Sequence, residues 1–308
     1  MTDRPLVSVL MPVHRDSEML RAAARSVLDQ GVDDLELIIS DDSGGGLRDA
    51  AAALGDERVK YFANDRQLGL AGNHTIALER ASGELLAFLH DDDEWLPGYL
   101  PRAVELFAGD PELGIVCSDV WIDRGGAWER RRRPAPGRYA DWIPVLMDHN
   151  TFIPSATVMR REVWEAHERE MPDLPVGDVV MFIEAAKSGW ALRWVDEPLV
   201  RYRMHPGNAG AKEEARFRDA LVQIFDSYRF DDPVHEAARR ARVAQQLIAR
   251  GGLSLRDGDP DGARADLARA REIDPARKRA RRVALGVMLD HPQLRDAARR
   301  ARDLFPRI

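Results

Sequence analysis

The densest chemistry in the sequence is Asp91-Asp92-Asp93, which follows the apolar run Leu85 to Leu89 through His90 and precedes Trp95-Leu96-Pro97. Three adjacent carboxylates repel one another and gain nothing as structure. Their chemical use is to hold a hard divalent cation through oxygen ligands, leaving positions for the oxygens of a diphosphate. An acidic helix start uses the same residues, but the apolar strand before them and the Trp-Leu-Pro after them argue for carboxylates fixed in place. A second acidic pair, Asp41-Asp42, follows Leu35 to Ser40 and leads into Ser43 and three glycines, Gly44 to Gly46. An acid there can accept from a ribose hydroxyl or a base N–H, or it can close an Asx turn before the glycines. The glycine run lacks G-x-G-x-x-G spacing and follows the second strand rather than the first, which disfavours a Rossmann dehydrogenase. His14 and Asp16 form a third polar point after Leu6 to Val13.

The elements that must position these groups alternate between two periods. Leu6 to Val13, Leu35 to Ser40, Val59 to Phe62 and Leu85 to Leu89 read as buried strands. Between them, Ser17 to Gln30 places Leu20, Ala24, Val27 and Leu28 on one helical face, with Ser17 as N-cap and Gly31 as the stop. Leu47 to Leu54 and Gly72 to Ala81 read as further helices. Strands alternating with helices through short connections imply an α/β fold with a mostly parallel sheet. In such sheets ligands bind beyond the carboxyl ends of the strands, which is where the polar clusters fall. Further on, the pattern predicts a strand at Gly114 to Val120, a loop at Asp123 to Arg138 with the solvated run Arg130 to Arg133, a helix at Asp178 to Gly189 and a strand at Leu192 to Val195. Trp121, Trp128 and Trp142 could stack on a sugar, but a core or rim position is the favoured reading for each.

From about Glu213 the chain reads as wholly helical. Leu247, Gly251, Ala263, Leu267, Ala270 and Pro275 approach the spacing of one tetratricopeptide unit without a second copy, so a single helical hairpin is expected. Two domains follow, residues 1–210 and 211–308, in keeping with a length of 308 residues. With 45 basic and 52 acidic side chains the net charge is -7, which argues against a nucleic-acid binder. Arg264 to Arg302 nevertheless holds twelve Lys and Arg against five Asp and Glu, a local +7. That is a solvated helical face or a patch for an anionic membrane surface, and the Ala/Leu-rich helices could also pair two copies as a homodimer. The single cysteine, Cys117, leaves no disulfide framework. No apolar run approaches bilayer length, and the N-terminus lacks a basic n-region, so a cytoplasmic protein, at most peripheral to the inner face of the membrane, is expected.

Taken in order, VSVLMPVHRD, SVLDQ, LELIISDDS, LGLAGNHTIAL, ASGELLAFLHDDDEWLP and EPLVRYRMH resemble a glycosyltransferase of family 2 over about residues 5 to 208. The resemblance implies a GT-A fold, a three-layer αβα sandwich with a helical appendage after it. It also implies a nucleoside-diphosphate-sugar donor with UDP as the expected nucleotide, Mn or Mg, and inverting transfer to a sugar, lipid-linked or protein hydroxyl in surface polysaccharide or glycoconjugate synthesis. Pro12, Val13 and His14 match the nucleotide-contacting turn, with His14-Arg15 where Tyr-Asn is common. Asp42, or its neighbour Asp41, matches the acid that contacts the base. Gly69, Ala71 and Asn73 match the segment beside the nucleotide, with Gly72 in place of a frequent Arg. Asp91 and Asp92 resemble the ribose-and-metal pair, Asp92 as direct ligand with Asp93 beside it, and His90 stands where the family's first acid is common. Asp178 matches the general base of a Glu-Asp pair whose Glu is here Gly177; Asp178 as a plain helix N-cap is the structural reading. His205 is expected to complete the metal shell and Arg203 to support the leaving diphosphate. Two rivals are weaker. A sugar nucleotidyltransferase would carry a glycine-rich loop after the first strand, which MPVHRDSE lacks. A catalytically degenerate nucleotide-sugar-binding or scaffold protein is the other alternative, which His90 and Gly177 keep open.

Overall fold

A computed structural model describes residues 4–131, 134–148, 152–174, 176–205, 214–290 and 293. The chain divides into two compact units, Met1–Ala211 and Lys212–Ile308.

The first unit is built on one mixed sheet. Its leading half comprises β1 (Val7–Val13), α1 (Glu18–Leu28), β2 (Leu35–Asp41), α2 (Arg48–Ala52), β3 (Val59–Ala63), α3 (Gly69–Arg80) and β4 (Leu85–Phe88). All seven residues of β1 and of β2 are buried, Ser8 and Glu36 among them, as strands covered by helices on both faces should be. The strands pair in parallel in the spatial order β3-β2-β1-β4. The order therefore reverses beside β1, and the crevice between the carboxyl ends of β1 and β4 is the place where such a sheet takes a ligand. Ser17 caps α1 by accepting from the Leu20 N–H at 3.0 Å. Helix α3 begins three residues before the predicted start. Its cap is not local: the Asp42 carboxylate accepts from the Leu68 N–H at 2.8 Å and the Gly69 N–H at 2.9 Å. Gly69 itself has φ +73, a left-handed conformation that favours glycine.

The trailing half holds β5 (Glu94–Trp95), α4 (Tyr99–Gly109), β6 (Leu113–Asp123), β7 (Trp128–Arg131), β8 (Gly137–Tyr139), α5 (Ile143–Asp148), β9 (Thr157–Arg160), α6 (Arg161–Glu165), α7 (Asp178–Lys187) and β10 (Ala191–Arg203). The sheet continues β4-β9-β6-β10-β5, with β9 antiparallel to both neighbours and β6 parallel to β10. Two expectations are corrected here. The predicted loop from Asp123 is a hairpin: Gly125 (φ +79) and Gly126 (φ +99) turn the chain, and β7 returns along β6. Arg130 is accordingly not solvated but bonded to buried Asp119 at 2.9 Å and to Asp196; Arg132 and Arg133 lie outside the described residues. The strand predicted at Leu192 to Val195 runs on to Arg203, because Glu197-Pro198 forms a bulge with register shifts on either side rather than a turn. That continuation carries Tyr202 and Arg203 back to the sheet's ligand edge.

The second unit is helical: α8 (Glu214–Ser227), α9 (Pro233–Asp257), α10 (Pro260–Ile273) and α11 (Arg279–Asp290). Asp232 and Asp259 cap α9 and α10, each followed by a proline at the first helical position, and Gly258 closes α9 with φ +94. The α9–α10 hairpin is close-packed at Gly251, where a Cβ would lie 3.3 Å from the Ala263 carbonyl oxygen. Leu247, Ala263, Leu267 and Ala270 are buried. Among the described residues no helix is long and apolar enough to cross a membrane. Most of the basic stretch after Asp290 lies outside the described residues.

Candidate active site

The acidic triplet leaves the end of β4 held from three sides. The Leu89 N–H donates to the Leu10 carbonyl at 3.0 Å, which keeps the chain in register with β1. The His90 N–H donates to Ser155 Oγ at 3.2 Å, and Trp95 Nε1–H donates to the Ser155 carbonyl at 2.7 Å, both from the turn before β9. Glu94–Trp95 then pairs antiparallel with Val200 and Arg201 of β10. The strand that follows the bulge is thereby aligned so that its end reaches the triplet.

This alignment brings separated residues together. The Arg203 N–H donates to Asp93 Oδ1 at 3.1 Å, and Arg203 Nη1 donates to the Asp92 carbonyl at 3.0 Å. His205 Nε2 lies 3.0 Å from Asp92 Oδ2. Ser155 Oγ–H donates to Asp93 Oδ2. One ring nitrogen of His90 and one oxygen each of Asp92 and Asp93 lie within 4.8 Å of one another. Two carboxylates and an imidazole at that separation fit a hard or borderline divalent cation such as Mn2+ or Mg2+. Electrostatics agree with the fit: burial, and then Asp92, push the fully buried Asp93 carboxyl up to about 7, and burial, and then Asp92, also raise Asp91. His14 and Arg15, at the end of β1, act in the opposite direction on Asp91, so the crevice between β1 and β4 carries both signs of charge.

Asp178 opens α7, and Gly177 rather than Asp178 occupies the cap position. Burial raises the Asp178 carboxyl, and His90 opposes that shift only when its ring is protonated, which puts Asp178 within the electrostatic reach of the cluster. The glycine before it has a steric cause: a Cβ on Gly177 would come within 2.5 Å of the Pro172 carbonyl oxygen, leaving no room for a glutamate. Gly72 is similarly constrained, since a Cβ there would lie 2.9 Å from Leu68 Cβ.

Other sequence-selected residues are engaged by the fold. Asp41 accepts from the Ser43 N–H at 2.7 Å, the Leu47 N–H at 3.1 Å and the Tyr61 hydroxyl at 2.6 Å. Asn73 donates to the carbonyls of Val13 (3.2 Å) and Ser40 (3.0 Å) and accepts from Asn64 Nδ2 (3.0 Å), clipping the ends of β1 and β2 together. Pro12 and Val13 are buried at the end of β1, and His14 emerges exposed beyond them. Trp142 is core, its Nε1–H donating to the Trp190 carbonyl, while Trp128 is 40% exposed under the Arg201 guanidinium. Two residues at the site carried no sequence signal. Ser155 is reached only through tertiary pairing. His74, buried on α3, has Nε2 3.2 Å from His90 Nε2, and burial, and then His90, push its ring down to about 3.

Residues 8–167 match the model of glycosyl transferase family 2. A GalNAc(5)-diNAcBac-PP-undecaprenol β-1,3-glucosyltransferase of Campylobacter jejuni is 40% identical over 105 residues, 33% of this chain and 34% of that protein. A UDP-Glc:α-D-GlcNAc-diphosphoundecaprenol β-1,3-glucosyltransferase of Escherichia coli is 34% identical over 105 residues, 34% of this chain and 42% of that protein. The chain thus spans less than half the length of either. An uncharacterized glycosyltransferase of Nostoc is 32% identical over 243 residues, 72% of this chain and 74% of its own. In fold, the chain is similar to Staphylococcus aureus TarS in complex with UDP-GlcNAc, with TM-score 0.68 at 13% identity over 94% of this chain and 88% of that one. It is also similar to the Pyrobaculum calidifontis mannosyltransferase PcManGT in complex with GDP-Man and Mn2+, with TM-score 0.59 at 21% identity over 100% and 89%. With a GT-A-like sheet, an acidic strand-end site and a family match across half its length, this chain belongs to glycosyl transferase family 2.

Proposed function

We propose that this chain transfers a sugar from a nucleoside diphosphate, UDP in the first instance, to a hydroxyl of a lipid-linked acceptor, with inversion at the anomeric carbon. The observation that carries this reading is the convergence of β4, β10 and the turn before β9 on His90, Asp92 and Asp93, in the crevice where the strand order reverses. Asp92, Asp93 and His90, with His205 on Asp92, would hold Mn2+ or Mg2+. When bound, that ion supplies positive charge to the departing diphosphate.

The remaining roles fall to this chain's own groups. His14, beyond Pro12 and Val13, and Asp91 flank the crevice and would line the nucleoside. Asp42 and Asn73 would hold the Gly69 turn and the end of β1 against it, with Asp41 fixing the loop after β2. Arg203, whose guanidinium is also paired with Glu94, would steady the diphosphate. Asp178 would take the proton of the acceptor hydroxyl as its oxygen attacks from the face opposite the diphosphate; a raised carboxyl pKa suits a base that must be protonated in the product state. Support for the acceptor comes from the names of the Campylobacter and Escherichia relatives, both of which carry an undecaprenol-diphosphate-linked sugar, and support for UDP from the Escherichia name alone. A peripheral position at the cytoplasmic face of the membrane would follow from such an acceptor.

The test is a matrix of UDP-, GDP- and dTDP-sugars against undecaprenyl-diphosphate-linked monosaccharides in Mn2+, read by mass spectrometry of the lipid product. Transfer from one donor class is expected. No product and no nucleoside diphosphate release from any donor would overturn the reading.

A further inference from the structure

His74 takes no part in the functions assigned so far, yet it is the polar group packed directly behind the proposed metal site. Its ring is 6% exposed. Nδ1 lies 2.8 Å from the carbonyl oxygen of Leu70, one turn earlier in α3. Nε2 lies 3.2 Å from Nε2 of His90, and the two rings meet edge to face with centroids 5.2 Å apart at 84°.

This arrangement determines where the protons sit. A carbonyl oxygen only accepts, so His74 Nδ1 must carry a hydrogen. Among the described residues neither nitrogen of the ring is bonded to a carboxylate, and a buried imidazolium without an anion is costly, so the ring is neutral and its Nε2 holds a lone pair. One hydrogen fits between two facing nitrogens, and His90 must supply it from Nε2. With its Nε2–H directed at His74, His90 has Nδ1 as the nitrogen left to offer a divalent cation.

We infer that His74 is a positioning residue: it fixes the tautomer and ring orientation of His90 so that Nδ1 is presented to the cation held with Asp92 and Asp93. The inference rests on the proposed metal site. It also explains how a histidine can serve at a position where an acid is more usual. A carboxylate presents lone pairs in any rotation, whereas an imidazole has one ligand nitrogen and two tautomers, so a fixed donor-acceptor partner is needed.

The experiment is Mn2+ titration followed by electron paramagnetic resonance, with spin-echo detection of nitrogen coupling to the bound ion, on the full chain without substrate. In the wild type, bound Mn2+ with one histidine nitrogen coupling is expected, and His90→Ala should lose that coupling. His74→Phe should bind Mn2+ about 10–100-fold more weakly with the coupling lost. His74→Gln should restore both, because its amide oxygen can accept the His90 Nε2–H. If the phenylalanine variant does not fold, His74→Leu is read in its place. Unchanged affinity and coupling in the apolar variant would overturn the inference alone. Mn2+ bound in the wild type without nitrogen coupling would overturn it too, leaving a carboxylate-only site. No Mn2+ binding in the wild type would bring down the metal site itself.

Discussion

Asp41-Asp42 and Asp91-Asp92-Asp93 are the same residue type at equivalent places, the ends of parallel strands β2 and β4, and their surroundings are opposite. Burial pushes Asp41 up, but hydrogen bonds from Ser43, Tyr61 and the Leu47 N–H more than offset it, so its carboxyl titrates below the ordinary range. Asp42 is likewise ringed by donors, from Asn64, Leu68 and Gly69. The second group has the burial without enough donors: Asp93 receives Ser155 and one backbone N–H, and sits beside Asp92, which raises it. A carboxylate surrounded by N–H groups holds the fold; carboxylates buried against one another keep a repulsion that protonation or a bound cation relieves.

The comparison is broken or sharpened most strongly by Asp92→Ala. Transfer should fall by about 10^3-fold or more, as for loss of a group that supports the leaving charge. Thermal stability should not fall, because a like charge beside Asp91 and Asp93 has gone. A parallel drop in melting temperature would mean that the triplet is structural, like the first pair. Next comes Asp178→Asn, for which about 10^2-fold or more in kcat is expected with donor affinity unchanged, the signature of a lost base. Rapid-quench turnover and donor titration on one preparation separate the two quantities.

Asp41→Ala should show the reverse pattern. It leaves the Ser43 and Leu47 N–H groups and the Tyr61 hydroxyl without their acceptor and should cost about 3 kcal/mol by urea unfolding, with Mn2+ affinity unchanged. The smallest effect is in pH. Asp93, with its folded pKa raised to about 7, is neutral at pH 5 in the metal-free fold and charged at pH 8. Charging it lowers stability as pH rises through that value, and a bound cation offsets that loss. The Mn2+-induced rise in melting temperature should therefore be larger at pH 8 than at pH 5; equal shifts would place the ion elsewhere.

Much of the parallel half was legible in the sequence. The runs ending at Val13, Asp41 and Phe88 are buried throughout because they are covered on both faces, and the polar residues that the fold uses stand at or just beyond their ends. What escaped was decided by distant partners. The start of α3 is set by Asp42, 26 residues from Leu68, and β7 is disguised by Arg130, whose charge is met by Asp119 and Asp196. The strand expected to end at Val195 continues through a bulge at Pro198, which hid the length of β10 and its delivery of Arg203 and His205 to the triplet. Ser155 and His74 left no trace in spacing, since neither lies near its partner in sequence.

The most direct test of a metal-assembled donor site is calorimetric titration of UDP into the protein, with GDP and dTDP as controls, in Mn2+ and again in EDTA. Binding of one nucleoside diphosphate that requires Mn2+, and that Asp92→Ala abolishes, is the expected result. UDP binding of equal strength in EDTA and in Asp92→Ala, or no binding of any of the three, would contradict it.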